Sequence, residues 1–200
     1  MQLGASMALR WVLLAALVAA TSALLFGLSG SDDPAFAWQL ASRYTARISV
    51  LVFLPVYVAS SMVALWPMPS TRALLRNRRN LGLGFAMAHT IHLYALIRQL
   101  LAADGIHPEE LAGGIVIYAL IFAMAVTSFP WAYRALGKNW KRLHKLGIHA
   151  IWIAFFLAYS GRIFEPEARV IGVAFTALLV AAMFLRIAAY GAKRKRRVAA

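Results

Sequence analysis

The 200-residue sequence contains no cysteine and only seven acidic residues. Without cysteine, the chain can form no disulfide, no thiolate metal site, no iron–sulfur cluster and no thiol nucleophile. The acids all lie between long apolar runs, at Asp32, Asp33, Asp104, Glu109, Glu110, Glu165 and Glu167. No carboxylate therefore lies inside an apolar run, which excludes the paired carboxylates of a di-iron helix bundle.

Apolar residues make up 62% of the chain, and the mean hydropathy is +0.69. This composition is too apolar for a water-soluble domain and predicts an all-α integral membrane bundle. Six apolar runs of about 18 to 22 residues are each long enough to cross a hydrocarbon core of about 30 Å. The six predicted transmembrane helices cover about 11–28, 48–66, 81–102, 111–131, 146–164 and 170–189. No linker or repeat divides them, so we predict a single domain over 1–200.

Charge between the runs predicts the orientation of the bundle. The formal net charge is +14, and the basic residues flank apolar runs rather than forming a basic face, which argues against nucleic-acid binding. Basic residues precede the first run, separate the second from the third and the fourth from the fifth, and form "KRKRR" at 193–197. Positive residues mark the cytoplasmic side, so we predict a multi-pass bacterial inner-membrane protein with both termini inside. The terminal basic run suits contact with anionic lipid.

Four of the five histidines lie in or beside the third and fifth runs, in "GFAMAHTIHLYAL" (84–96) and "WKRLHKLGIHAIW" (140–152). His107 lies instead in an acidic outer loop. A spacing of three residues places His89 and His92 about 60° apart around a helix and about 4.5 Å apart along it, so both can face one inter-helix space. A spacing of five places His144 and His149 about 140° apart, so they cannot both face the same partner.

Intramembrane histidines usually pair, relay protons or bind a metal. Heme iron takes two axial imidazoles, whereas zinc or copper needs three or four converging donors. Two helices with two histidines each therefore predict b-type heme. The candidate ligands are His89, His92, His144 and His149. The distance along each helix from its basic end is more similar for His149 than for His144 to that of His89 or His92. This similarity favours His149 as the second ligand beside His89 or His92. One heme is expected and two are possible. The offset of about 4.5 Å between His89 and His92 along the helix is too small to separate two stacked macrocycles. The alternative is that these imidazoles only form hydrogen bonds between helices.

The stretches "RRNLGLGFAMAHTIHLYAL" (78–96) and "LGKNWKRLHKLGIHAIW" (136–152) resemble the ferric reductase-like transmembrane domain family. The resemblance is closest to the six-span heme-binding membrane subunits of periplasmic methionine sulfoxide reductase. It implies iron ligation by His92 and His144. The family's further histidine in the fifth span corresponds here to Leu157, so the resemblance implies a changed ligand set, in which His149 is a candidate replacement.

The resemblance implies an electron-transfer subunit of an oxidoreductase. "LGLGF" (81–85) opens a membrane helix and is not a dinucleotide fingerprint, so we expect the electrons to come from outside the chain. The expected donor is a membrane quinol or a cytoplasmic flavoprotein, with quinone or flavin supplied by a partner. The expected acceptor is a periplasmic reductase or a small molecule. Two alternatives are a small histidine-containing transporter or proton pathway without heme, and an assembly subunit whose partner holds the cofactor.

Overall fold

The computed structural model describes residues 2–103 and 108–198. In these residues we find eight α-helices, one short 3₁₀ helix and no β-strand. The α-helices are α1 (Gln2–Leu28), α2 (Pro34–Leu65), α3 (Pro69–Arg76), α4 (Arg78–Ala102), α5 (Pro108–Val126), α6 (Pro130–Leu136), α7 (Lys138–Gly161) and α8 (Arg169–Val198). The 3₁₀ helix, Arg162–Phe164, follows α7 directly. The predicted all-α class is therefore confirmed.

Among the described residues, five helices are long and apolar enough to cross a membrane, and a bent pair raises the number to six. The five candidate spans are Leu9–Leu28, Pro34–Leu65, Arg78–Ala102, Lys138–Phe164 and Arg169–Arg196. They contain the predicted first, second, third, fifth and sixth spans, except that the predicted second span ended at residue 66, one residue beyond Leu65. The helices are longer than most of the apolar runs because helical structure continues into the basic and polar flanks.

The helix α2 shows how a flank extends a span, since it begins at Pro34, well before the predicted start at residue 48. Asp33 accepts bonds at 3.3 Å from the backbone N–H groups of Ala35 and Phe36, and Pro34 occupies the first helical position. Both features are typical of a helix N-terminus. Farther along, the Arg47 guanidinium covers the Tyr44 ring at 4.7 Å, which gives a cation on this helix an aromatic partner.

The predicted fourth span does not continue to residue 131 as one helix. The helix α5 ends at Val126, and residues 127–129 separate it from α6, which begins at Pro130. The hydroxyl of Thr127 donates to the Ala123 carbonyl at 2.6 Å, and that of Ser128 donates to the Met124 carbonyl at 2.7 Å. These side chains satisfy the last carbonyls of α5, and the ring of Pro130 prevents the helix from continuing.

The described chain forms two compact units. The first unit comprises Met1–Phe53 and Arg79–Ser128, and the second comprises Leu54–Arg78 and Phe129–Ala200. The first boundary lies in α2 between Phe53 and Leu54, one residue before Pro55, the one proline inside that helix. Each unit combines segments from distant parts of the sequence, so the two units are not successive domains.

Small residues bring helices of the first unit close together. A Cβ atom at Gly27 of α1 would overlap the backbone of Ala41 in α2, so only glycine allows this approach. On α4, a Cβ at Gly84 would lie 3.1 Å from the Val12 side chain of α1. Close contact through glycine and alanine is typical of helix packing in membranes. The same unit also contains an edge-to-face contact of Phe26 with Tyr44, with ring centroids 5.0 Å apart.

In the second unit, α7 packs against α8 and against the part of α2 that follows Pro55. The indole N–H of Trp152 donates to the Leu179 carbonyl of α8 at 3.0 Å. Toward the end of α7, the rings of Tyr159 and Phe175 stack with centroids 4.7 Å apart. These contacts satisfy the polar atom of Trp152 and bury aromatic surface between the two helices.

Candidate functional site

The two histidines of α4 lie together in the first unit. The ring centroids of His89 and His92 are 5.0 Å apart. His89 is only 5% exposed and stacks between Phe85, at 5.3 Å, and Tyr118 of α5, at 4.9 Å. The two rings are therefore neighbours on α4, as their spacing of three residues predicted.

The orientation of the His92 ring follows from its contact with α2. Thr45 Oγ1 lies 3.1 Å from His92 Nδ1, and Thr45 is fully buried. The Thr45 hydroxyl donates its one proton to carbonyls of its own helix, Ala41 at 2.8 Å and Ser42 at 3.0 Å. With the hydroxyl proton on a helix carbonyl, Thr45 Oγ1 accepts from the ring, which is the arrangement with the His92 proton on Nδ1. The lone pair of the neutral ring is then on Nε2, which is the tautomer that a metal-binding histidine needs.

In the second unit, His149 belongs to a chain of polar contacts that links α2, α7 and α8. Arg186 donates to His149 Nε2 at 3.4 Å, and His149 Nδ1 lies 3.4 Å from the Tyr57 hydroxyl. That hydroxyl donates to the Met183 sulfur at 3.6 Å. Arginine can only donate, so His149 Nε2 is the acceptor and its Nδ1–H donates to Tyr57. The His149 lone pair thus points to a cation in this arrangement.

Arg186 is held against α2 by two further contacts. It donates to the Tyr57 carbonyl at 2.7 Å, and its guanidinium lies 4.5 Å from the centroid of the Tyr57 ring. The neighbouring carbonyl of Val56 accepts a bond from Arg78 at 3.0 Å. Arg186 lies within a candidate membrane span, where an arginine is rare and suggests a function.

His144 has a different environment from His149. Its ring stacks on Trp140, one turn earlier in α7, with centroids 4.2 Å apart and planes at 28°. Trp140 in turn meets Tyr133 of α6 edge to face, with centroids 5.1 Å apart. His144 and His149 therefore contact different groups, as their spacing predicted.

The structure thus groups His89 with His92 in the first unit and places His144 and His149 in separate surroundings of the second. His107 lies outside the described residues. Leu157, at the position of the family's further histidine, is 63% exposed, as suits a residue in contact with lipid.

Sequence reasoning missed Thr45, Tyr57 and Arg186. Arg186 carries a usable signal, because it is the only charged residue between Arg169 and Lys193 in an apolar helix. Thr45 and Tyr57 carry none, since each is far in sequence from the histidine that it contacts.

Curated proteins similar to this chain share one description. The chain is 31% identical over 166 residues to the "Protein-methionine-sulfoxide reductase heme-binding subunit MsrQ" of Yersinia pseudotuberculosis, serotype O:1b, a match that covers 72% of this chain and 79% of the relative. It is 28% identical over 163 residues to the protein of the same name from Yersinia enterocolitica, covering 72% and 80% respectively. No family model matches the chain, and neither does any solved structure.

Proposed function

The chain belongs to the family of heme-binding subunits of protein-methionine-sulfoxide reductase, and from this premise we propose that it binds b-type heme and transfers electrons within the membrane. The family match extends over most of this chain and of the relatives. The several long apolar helices fit a multi-pass membrane protein. Lack of cysteine fits a heme without thioether links to the chain.

The observation that carries the proposal is the contact of His92 with Thr45. An axial ligand must present an unprotonated ring nitrogen, and the second partner of the ring fixes which nitrogen that is. We propose that Thr45 holds the proton on His92 Nδ1 and leaves Nε2 as the donor atom, an arrangement that their 3.1 Å contact supports. His92 is also the histidine of α4 that the resemblance marks as a ligand. Among the residues of the first unit, His92 would therefore hold the heme iron.

For the second ligand we propose His144. His149 is the less suitable donor because Arg186 directs an N–H at its Nε2. His144 is the histidine of α7 that the resemblance marks as a ligand, and its ring is oriented by stacking on Trp140. We propose that His89 and His149 are positioning residues, with His89 packing beside His92 and His149 linking Arg186 to Tyr57.

Bound heme would supply one-electron chemistry by cycling between ferric and ferrous iron. The role of the chain is to hold the cofactor, fix the imidazole tautomers and exclude water. We propose that the termini are cytoplasmic, that the donor is a quinol or a cytoplasmic flavoprotein, and that the acceptor is a periplasmic reductase. The concentration of basic residues in two connections and at the C-terminus supports this orientation.

Sealed vesicles with ferricyanide trapped inside test electron transfer directly. We expect wild-type protein in the bilayer to let added quinol or reduced flavin bleach the internal ferricyanide. The His92→Ala variant in the same lipid is the control, because it removes one proposed ligand from an otherwise unchanged chain. Equal bleaching rates with wild type, with His92→Ala and with protein-free vesicles would contradict the proposal.

A further inference from the structure

Arg186 is the most unusual cation of the second unit. It lies within the candidate span Arg169–Arg196, with no other charged residue between Arg169 and Lys193. Its contacts are a backbone carbonyl, a neutral imidazole and a phenol ring, all on or next to Tyr57 and His149. These partners orient the guanidinium without neutralising it.

The second unit has no acidic residue in its apolar helices. Its only acids are Glu165 and Glu167, which are exposed and follow the C-terminal end of α7. About 18 Å of helix separates His149 from that end. Arg78, bound to the Val56 carbonyl next to Tyr57, adds a second positive charge near Arg186. A cationic group in an apolar environment is costly unless it is paired, so this arrangement calls for an anion from outside the unit.

The guanidinium can bind such an anion. Arginine has five N–H donors in a planar fork that matches a carboxylate. Two donors are used by the Tyr57 carbonyl and by His149, and the other three have no partner among the described hydrogen bonds. The Tyr57 ring covers one face of the guanidinium plane. In-plane donors therefore stay available for a carboxylate.

We infer that Arg186 binds a propionate carboxylate of b-type heme, an inference that rests on the proposed function. Heme is an apolar macrocycle with two carboxylates, so a fixed cation inside an apolar helix selects its orientation as well as adding affinity. The Arg186–His149–Tyr57 contacts then have a role, because they hold the guanidinium in place before heme binds. Arg186 acts as a positioning residue, and the iron ligands are other side chains.

The test compares heme with heme dimethyl ester, in which both propionates are neutral. Apo-protein in detergent is titrated with each, and the affinity ratio is measured for wild type and for Arg186→Gln. The ester partitions differently into detergent, but this difference is the same for both proteins and cancels in the comparison. Arg194→Gln, which removes the same charge from the exposed end of α8, is the matched control.

We expect wild type and Arg194→Gln to bind heme more tightly than its ester. In Arg186→Gln we expect this affinity ratio to fall by about tenfold or more, which is the change that loss of one charge-assisted hydrogen bond produces. Arg186→Lys keeps the charge and is expected to recover part of the preference, which separates charge loss from misfolding. The same ratio in wild type and Arg186→Gln, with heme bound by both, would overturn the inference and leave the proposed function intact.

Two other results also decide the question. Loss of a bound anionic phospholipid from Arg186→Gln in native mass spectrometry, with unchanged ester discrimination, would assign Arg186 to a lipid phosphate and overturn the inference. A wild-type protein that binds neither heme nor its ester would contradict the proposed function itself, and the inference would fail with it.

Discussion

Replacing Thr45 by valine tests how the chain prepares His92 for iron. Valine has nearly the shape of threonine but cannot accept a hydrogen bond, so the His92 ring loses the hydroxyl 3.1 Å from Nδ1 and keeps only its backbone contact with Ser42. Thr45 is fully buried, and water is a poor substitute at such a position. Loss of a group that orients a metal ligand typically costs about 10- to 100-fold in metal affinity. We therefore expect Thr45→Val to weaken heme binding by about 10- to 100-fold.

The assay is a heme titration of purified apo-protein, followed by the Soret absorbance. Thr45→Ser keeps the hydroxyl and is expected to bind heme nearly as wild type does. Ser49→Ala is the matched control, since Ser49 is also fully buried on α2 and its hydroxyl donates to the Thr45 carbonyl at 3.0 Å. Unchanged affinity in Thr45→Val, or an equal loss in Ser49→Ala, would refute the reasoning about the His92 tautomer.

Two further predictions concern the second ligand and the packing of α1. His144→Ala is expected to lose most bound heme, whereas His149→Ala is expected to retain it with a changed midpoint potential. The pyridine hemochrome assay measures the heme content of both variants. Loss of heme in His149→Ala and retention in His144→Ala would assign the ligand to His149. Gly27→Ala is expected to lower the thermal unfolding midpoint, because the added Cβ would overlap the Ala41 backbone at a cost of about 1–3 kcal/mol. Gly113→Ala is the control and is expected to leave the midpoint unchanged, because no atom lies within 4 Å of its added Cβ.

The helices were predictable from the sequence because long apolar runs leave few alternatives in a membrane. The end residues of the helices were less predictable, because a helix can continue through polar residues that a hydropathy pattern does not assign to it. The start of α2 at Pro34 was signalled by the preceding Asp33, a capping residue, and not by any change in hydropathy. The end of α5 at Val126 depends on hydroxyl groups of Thr127 and Ser128 that could equally have continued the helix.

For the candidate site, helical periodicity gave the contacts within a helix and missed those between helices. The proximity of His89 and His92 follows from their spacing on α4. The partner of His92 is 47 residues away on α2, and the sequence contains no pattern that connects them. Arg186 was visible as an isolated cation in an apolar run, but its contact with His149 depends on how α7 and α8 pack.

Our proposal of His144 over His149 as a ligand rests on hydrogen-bond partners and not on depth along the helix. Sequence reasoning favoured His149 because its distance from the basic end of its run was the better match to His89 or His92. The structure surrounds that ring with Tyr57 on one nitrogen and Arg186 on the other. The identity of the hydrogen-bond partners, and not depth, decides which imidazole has a lone pair to offer.

Near-infrared magnetic circular dichroism of the oxidised, heme-loaded protein tests the central claim most directly, because it reports the two axial ligands of a low-spin heme. We predict the signature of two imidazoles in wild type and its loss in His92→Ala. A colourless protein after expression with ample heme, or a bis-imidazole signal that persists in His92→Ala, would contradict the account.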